Sequence, residues 1–220
     1  MSHSQISPVT LRTLSALLTY PEQDLLDALD ELQLAVPEEH ALPLLGLFTY
    51  LRTHDLVRLQ ENYVDTFDRN PSHSLHLFEH IHGESRDRGQ AMVDLLEEYR
   101  CDGFEPTTTE LPDYVPLFLE FLSVVTPERA QGLLDDAIHV LAAVGGNLSK
   151  NGSPYALVFN VVQGMSGVVP VPLASPPVRD MDEALEVFGT GADGVEPLLK
   201  PQTTHTLQFH AQRPPATARI

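Results

Sequence analysis

Apolar side chains recur at helical spacing along the first three quarters of this 220-residue chain, and that recurrence limits its fold more than any other feature. Leu25, Ala28, Leu29 and Leu32 fall at i, i+3, i+4 and i+7, which places one apolar stripe on a helix. Leu44, Leu47, Phe48 and Leu51 repeat the spacing, as do Met92, Leu95, Leu96 and Tyr99, and again Leu134, Ala137, Ile138 and Leu141. Sustained period-2 alternation of β-branched residues between hairpin turns is missing. The expectation is an all-α chain. No stretch recurs at a period of 20–50 residues, so the helices, about eight to nine of them, form a bundle and not a solenoid.

Start and stop signals place the helices near 8–19, 22–34, 38–52, 55–67, 74–81, 86–101, 113–125, 127–149 and 154–165. Ser7-Pro8, Thr126-Pro127 and Ser153-Pro154 each offer a hydroxyl cap followed by a proline whose missing N–H would have had no helical partner. Gly103 and Gly152 follow apolar stripes closely enough to end them, and Gly145-Gly146 is placed to fray or kink the long segment from Pro127 to Lys150. From Gly167 the composition changes: eight of the eighteen prolines lie there, including Pro170, Pro172, Pro176 and Pro177. Too little apolar surface remains in that stretch to offset its ordering entropy. The expected organisation is a helical domain over residues 8–166 and a mostly disordered Pro/Gly-rich tail over 167–220.

The formal charge is −18, and the residues before Gly167 hold 9 basic against 25 acidic side chains. Such a field repels phosphate backbones and anionic headgroups and attracts cationic segments, so nucleic acid is disfavoured and a basic peptide is the natural partner. Acidity that only maintains solubility is the plainer alternative. Cys101 is the single cysteine, which excludes an internal disulfide and a cysteine-rich zinc site. No secretory signal and no apolar run of membrane-spanning length is visible, so a cytoplasmic protein without stable membrane association is expected.

Candidate chemistry concentrates in Ser74–Asp94, which carries Glu84, Arg86, Asp87 and Arg88 beside His80 and His82. His76-x-x-Glu79-His80 has the spacing of inverted zinc peptidases: on one helix the two histidines would share a Zn²⁺ and Glu79 would polarise a bound water. Against it, Leu75, Phe78 and Ile81 can form a buried stripe that leaves His76 and Glu79 in solvent. Two further segments read as recognition surface. Asn62–Asp68 sets Tyr63 and Phe67 at i, i+4 beside Asp65 and Asp68, and Glu110–Glu120 frames an aromatic and aliphatic helix with acids. An apolar groove rimmed by carboxylates suits a basic amphipathic peptide. The alternative is that these helices pack the core and expose their acids.

The stretches Asn62–Arg69 (NYVDTFDR), Ser74–Leu96 (SLHLFEHIHGESRDRGQAMVDLL) and Glu110–Leu122 (ELPDYVPLFLEFL), in this order, resemble the NarJ family. These are assembly chaperones of respiratory nitrate reductase, within the all-helical TorD-like group of redox-enzyme chaperones. The resemblance spans roughly residues 8–165 and departs at Asn70–His73, where the family has a more basic linker. It implies a non-enzymatic helper without a cofactor of its own. That helper binds the N-terminal segment of the nitrate reductase α subunit, holds the αβ complex competent for molybdenum cofactor insertion and membrane docking, then leaves. Carried onto this chain, it implies Tyr63, Phe67, Leu117 and Phe118 as an apolar floor, with Asp65, Asp68, Asp113 and Glu120 as an acidic rim. Glu79, His80, Glu84, Arg86, Asp87 and Arg88 form the signature region, Arg86 and Arg88 being paired internally with acids. A helical adaptor for another basic partner stays open, as does monomer against weak dimer.

Overall fold

The computed structural model describes residues 6–83, 85–107 and 109–173. Ten α-helices follow one another there: α1 (Pro8–Leu17), α2 (Gln23–Asp27), α3 (Leu29–Ala35), α4 (Glu38–Thr53), α5 (Leu56–Tyr63), α6 (Glu79–His82), α7 (Arg86–Cys101), α8 (Val115–Val124), α9 (Pro127–Lys150) and α10 (Ala156–Met165). A π turn (Val64–Asp68) extends α5, and a 3₁₀ turn (Pro71–His73) follows it. The fold is all-α, as the periodicity requires.

Two of the three expected caps form, and two further ones join them. Ser7 and Thr126, and also Asp55 and Ser85, accept through their side chains from the Thr10, Arg129, Arg58 and Asp87 amides at 3.0–3.4 Å. Ser153 differs: its hydroxyl is buried without a partner, and α10 begins only at Ala156. Gly103 and Gly152 end their helices at φ 76° and 69°, the left-handed region that favours glycine.

The core centres on α8, where Val115 to Leu119, Phe121 and Leu122 are all buried. α1 lies against it, and the buried Ser15 hydroxyl donates to the Pro116 carbonyl at 2.7 Å. A small residue at that crossing lets the two helices come close while its polar atom is satisfied. α10 packs between α4 and α9, and Arg129 of α9 pairs with Glu98 and with Asp102 on the end of α7.

Three expected elements differ. The 22–34 helix is divided at Ala28 into α2 and α3. Residues 74–76 lead into a single β-bridge at His76 and residues 77–78 form a turn, so the expected 74–81 helix shrinks to the single turn α6. The Gly145-Gly146 pair neither frays nor interrupts α9, which runs about 36 Å to Lys150. A side chain at Gly145 would stand 2.5 Å from Phe159 Cβ of α10, so glycine there permits close helix approach. The first residues of the expected tail run along α9: Gly167 N–H donates to Asp135, Val171 N–H donates to His139 Nδ1 at 3.1 Å, and Leu173 touches the core. The remainder of that tail, 174–220, lies outside the described residues.

The two adjacent glycines give a matched test. Gly145→Ala should destabilise by about 1–3 kcal/mol in urea denaturation, because Phe159 Cβ cannot withdraw without moving its helix. Gly146 meets nothing within 4 Å, so Gly146→Ala should be neutral or stabilise by up to about 1 kcal/mol through helix propensity. Equal effects at the two positions would contradict this packing.

Candidate functional site

Two of the stretches that carry the family resemblance, Ser74–Leu96 and Glu110–Leu122, meet around one buried carboxylate, and the third joins them through the Tyr63 and Tyr114 hydroxyls. Asp113 has 0% exposure. Its Oδ2 accepts the Phe78 amide at 3.0 Å and lies 4.0 Å from the Arg88 guanidinium, while Oδ1 is 3.3 Å from His76 Nδ1. Arg88 also pairs with Glu79 at 3.1 Å. A carboxylate withdrawn from water is tolerable only with such partners.

The backbone beside it is built to match. Leu77 N–H donates to the Asp113 carbonyl at 3.0 Å and Val115 N–H to the Leu75 carbonyl at 2.8 Å, forming one antiparallel bridge between His76 and Tyr114. On either side of this bridge Leu75 and Leu77 both turn inward, and His76 between them is half-buried. The Asp113 side chain then supplies the acceptor for the N-terminus of α6 that no local residue provides. Gly83, at φ 54°, ends α6 one turn later, and Ser85 caps α7.

A second group of contacts ties the π turn to its surroundings. The π turn carries Phe67 inward to a ring spacing of 4.8 Å from Tyr63 and 5.0 Å from Tyr155. Buried His73 bridges its carbonyl Thr66, 3.0 Å from Nδ1, to Asn151 at the end of α9, 2.8 Å from Nε2. The Thr66 carbonyl can only accept, so the ring N–H at Nδ1 donates to it, and the Asn151 side-chain amide meets Nε2. Tyr63 hydroxyl donates to the Leu18 carbonyl at 2.9 Å, which leaves Tyr114 hydroxyl, 3.3 Å away, to donate to Tyr63. The exposed Tyr20 ring stands edge-on to Tyr63 at 5.5 Å. Burial, then the charges of Glu110 and Asp68, raise the Tyr114 pKa. Tyr20 and Tyr114 thus both meet Tyr63, one by its ring and the other by its hydroxyl, and Leu111, whose carbonyl accepts the Tyr114 amide at 3.0 Å, is exposed, while the charges of Glu110 and Asp68 act on the Tyr114 hydroxyl.

The expected floor of a trench is placed otherwise. Tyr63, Phe67, Leu117 and Phe118 belong to the core, with Phe67 and Leu117 only 6% exposed. Asp113 stands beneath the surface and holds it together, where a rim position was expected. Aromatics at i, i+4 obey the same spacing whether they line a groove or a core, and here α1, α9 and α10 supply enough apolar surface to enclose them. Asp65, Asp68 and Glu120 are exposed, Asp65 pairing with Arg69 at 2.8 Å. Arg86 and Asp87 are exposed on the first turn of α7, and Arg88 is turned inward on Glu79. His80 Nε2 lies 2.9 Å from the Ser74 carbonyl, and Glu84 lies outside the described residues. Sequence reasoning missed Tyr20, His73 and Tyr114. The signal available for the last was its place between Asp113 and the proline-started α8.

The zinc reading does not survive this geometry. His76 sits at the β-bridge facing Asp113, and His80 sits on α6 bonded to a carbonyl, so the two do not share a helix face. Among the described residues no three His, Cys, Asp or Glu side chains are grouped to hold a metal.

The contact with Asp113 raises the His76 pKa above its ordinary 6.5, against the lowering effect of burial. A raised folded-state pKa contributes stability that is complete below about pH 6.5 and is lost as the pH rises through the folded value. Denaturation midpoints should therefore fall as the pH climbs from 6 through neutrality, and His76→Gln should flatten that slope. Asp113→Asn should cost about 3 kcal/mol or more, since Arg88 and His76 lose their buried counter-charge. A His76→Gln protein with the wild-type pH slope would contradict the pairing.

The nitrate reductase delta subunit family model matches residues 24–160. The nitrate reductase molybdenum cofactor assembly chaperone NarJ of Escherichia coli K12 is 40% identical over 160 residues, covering 70% of this chain and 68% of the relative. A protein of Bacillus subtilis 168 named as a probable nitrate reductase molybdenum cofactor assembly chaperone NarJ is 31% identical over 158 residues, covering 70% and 86%. A solved structure named as a putative redox enzyme maturation protein from Archaeoglobus fulgidus shares the fold at TM-score 0.56 and 22% identity, over 74% of this chain and 95% of that one. This chain belongs to the nitrate reductase delta subunit family, whose named members here are assembly chaperones and not catalysts.

Proposed function

We propose that the chain is a cytoplasmic assembly chaperone for a respiratory nitrate reductase. It binds the N-terminal segment of the catalytic α subunit and holds the αβ complex competent for molybdenum cofactor insertion and membrane docking, without joining the final enzyme. The function for which the relatives are named supports the role, and no helix among the described residues is long and apolar enough to cross a membrane.

The observation that carries the site is the contact of the three signature stretches through Tyr63 with Tyr114 and Phe78 with Asp113; from it we assign the client surface to the exposed Tyr20 and Leu111 and to Tyr114, with Asp68 and Glu110 as its acids. Aromatic rings give a peptide apolar contact at small entropic cost, and the acids attract its arginines. Asp65 and Glu120 extend the acidic surround, and exposed Arg86 and Asp87 fix the client's register by repulsion and attraction respectively. In this reading Glu79, His80, Arg88 and Asp113 position the surface without touching the client. Tyr63, Phe67, Leu117 and Phe118 support it from below.

Calorimetry of the full chain with the α-subunit N-terminal peptide should show binding that weakens with salt. Asp68→Asn and Glu110→Gln should each weaken it about twofold to fivefold, as exposed charge pairs do. Tyr20→Ala should weaken it roughly tenfold as an aromatic anchor. Absence of heat at low salt would remove this reading, and undiminished binding by all three variants would remove the assigned surface.

A further inference from the structure

Outside the residues of that surface, Leu34 of α3 and Leu42 and Leu45 of α4 project from the protein; Leu34 is 86% and Leu42 57% exposed. One ion pair places them together. Arg52 of α4 donates to Asp30 of α3 at 2.7 Å, which fixes the two packed helices as an antiparallel hairpin turning at Val36-Pro37. Leu34 follows Asp30 by one turn and Leu45 precedes Arg52 by two, so each lies on the same stripe as its ion-pair partner. In an antiparallel pair both displacements point toward the hairpin's closed end, and Leu42 continues the stripe one turn further. Exposed Glu31, Glu38 and Glu39 edge this strip. Pro43, inside α4, removes the amide that would bond the Glu39 carbonyl, so an acceptor is also offered there.

An apolar strip with an acidic border calls for a cationic, apolar occupant. We propose that the occupant is the chain's own stretch Pro197–Ile220, bound intramolecularly. That stretch carries Lys200, Arg213 and Arg219 and no carboxylate side chain, together with Leu199, Leu207 and Phe209. The rest of the chain is therefore even more acidic than the whole, at −18. Residues 174–196 span up to about 80 Å, whereas a domain of this size has a radius of gyration of about 15 Å, so the stretch can reach any face. Tethering holds it at about millimolar effective concentration, where a few apolar contacts and charge pairs suffice. A second copy is a poor occupant, because two chains of charge −18 repel. This inference does not depend on the client reading, since it concerns a different surface.

The test is paramagnetic relaxation enhancement on the full chain. A spin label is attached through Gln202→Cys in a Cys101→Ser background, Cys101 being exposed and the chain's single native thiol. The methyl signals of Leu34, Leu42 and Leu45 should be lost relative to the reduced label. They should return in about 1 M salt, where the Debye length falls to about 3 Å. They should also return in a Lys200→Glu, Arg213→Glu, Arg219→Glu variant whose other signals are unmoved. Signals that stay sharp, or losses confined to another face, would overturn the proposal. Losses that appear when labelled unenriched chain is mixed with unlabelled enriched chain would overturn it equally, because the occupant would then be a second copy.

Discussion

One buried carboxylate organises the part of this protein where its most distinctive sequence lies. Asp113 has no contact with solvent, yet it accepts an amide from the start of α6 and faces His76 and Arg88. Desolvating a carboxylate costs several kcal/mol, and the cost is offset only while all of these partners stay in place. Removing one partner exposes the others to the same penalty. The segment from His76 to Glu79 is therefore held in place with Arg88, although it contains little regular structure.

The consequence reaches the surface. Tyr114 follows Asp113 directly, and the bridge to His76 fixes its backbone, so its hydroxyl meets Tyr63 and its ring lies beside His76. Tyr63 in turn is fixed by Leu18 at the end of α1, next to Tyr20. The density of charge of both signs in Ser74–Asp94 thus has an internal purpose in Glu79 and Arg88, while Arg86 and Asp87 remain available outside. A pre-shaped surface of this kind spares a client peptide part of the ordering cost of binding. The π turn at Val64–Asp68 serves the same end, because it sends Phe67 inward while Asp65 and Asp68 stay out.

Much of the architecture was legible in local pattern. α7 lies where its stripe and the Gly103 stop predict, 86–101, and α9 exceeds its expected end by a single residue. Both are long, amphipathic and capped, so local and tertiary preferences agree. Ser74–Phe78 was not legible, because Leu75 and Phe78 fit a helix while Leu75 and Leu77 fit a strand over too few residues to decide. The decision comes from Asp113, which lies 35 residues beyond Phe78 in the chain. The same distance explains the candidate site. Its segments could be named from sequence, yet spacing alone does not tell a buried aromatic from a groove-lining one, and Tyr63, Phe67, Leu117 and Phe118 proved to be buried. Gly145 carried no sequence signal of its role, since its constraint is Phe159 of another helix.

If a peptide-binding face kept in shape by this polar knot is what the protein contributes, then the enzyme it serves should fail to receive its metal without that face. The most direct measurement is the molybdenum content of membrane-bound nitrate reductase in the native host after deletion of this gene. Metal should be lost on deletion, restored by the wild-type chain, and poorly restored by a stably folded chain carrying Tyr20→Ala with Asp68→Asn. Normal molybdenum content in the deletion strain would contradict the chaperone role itself.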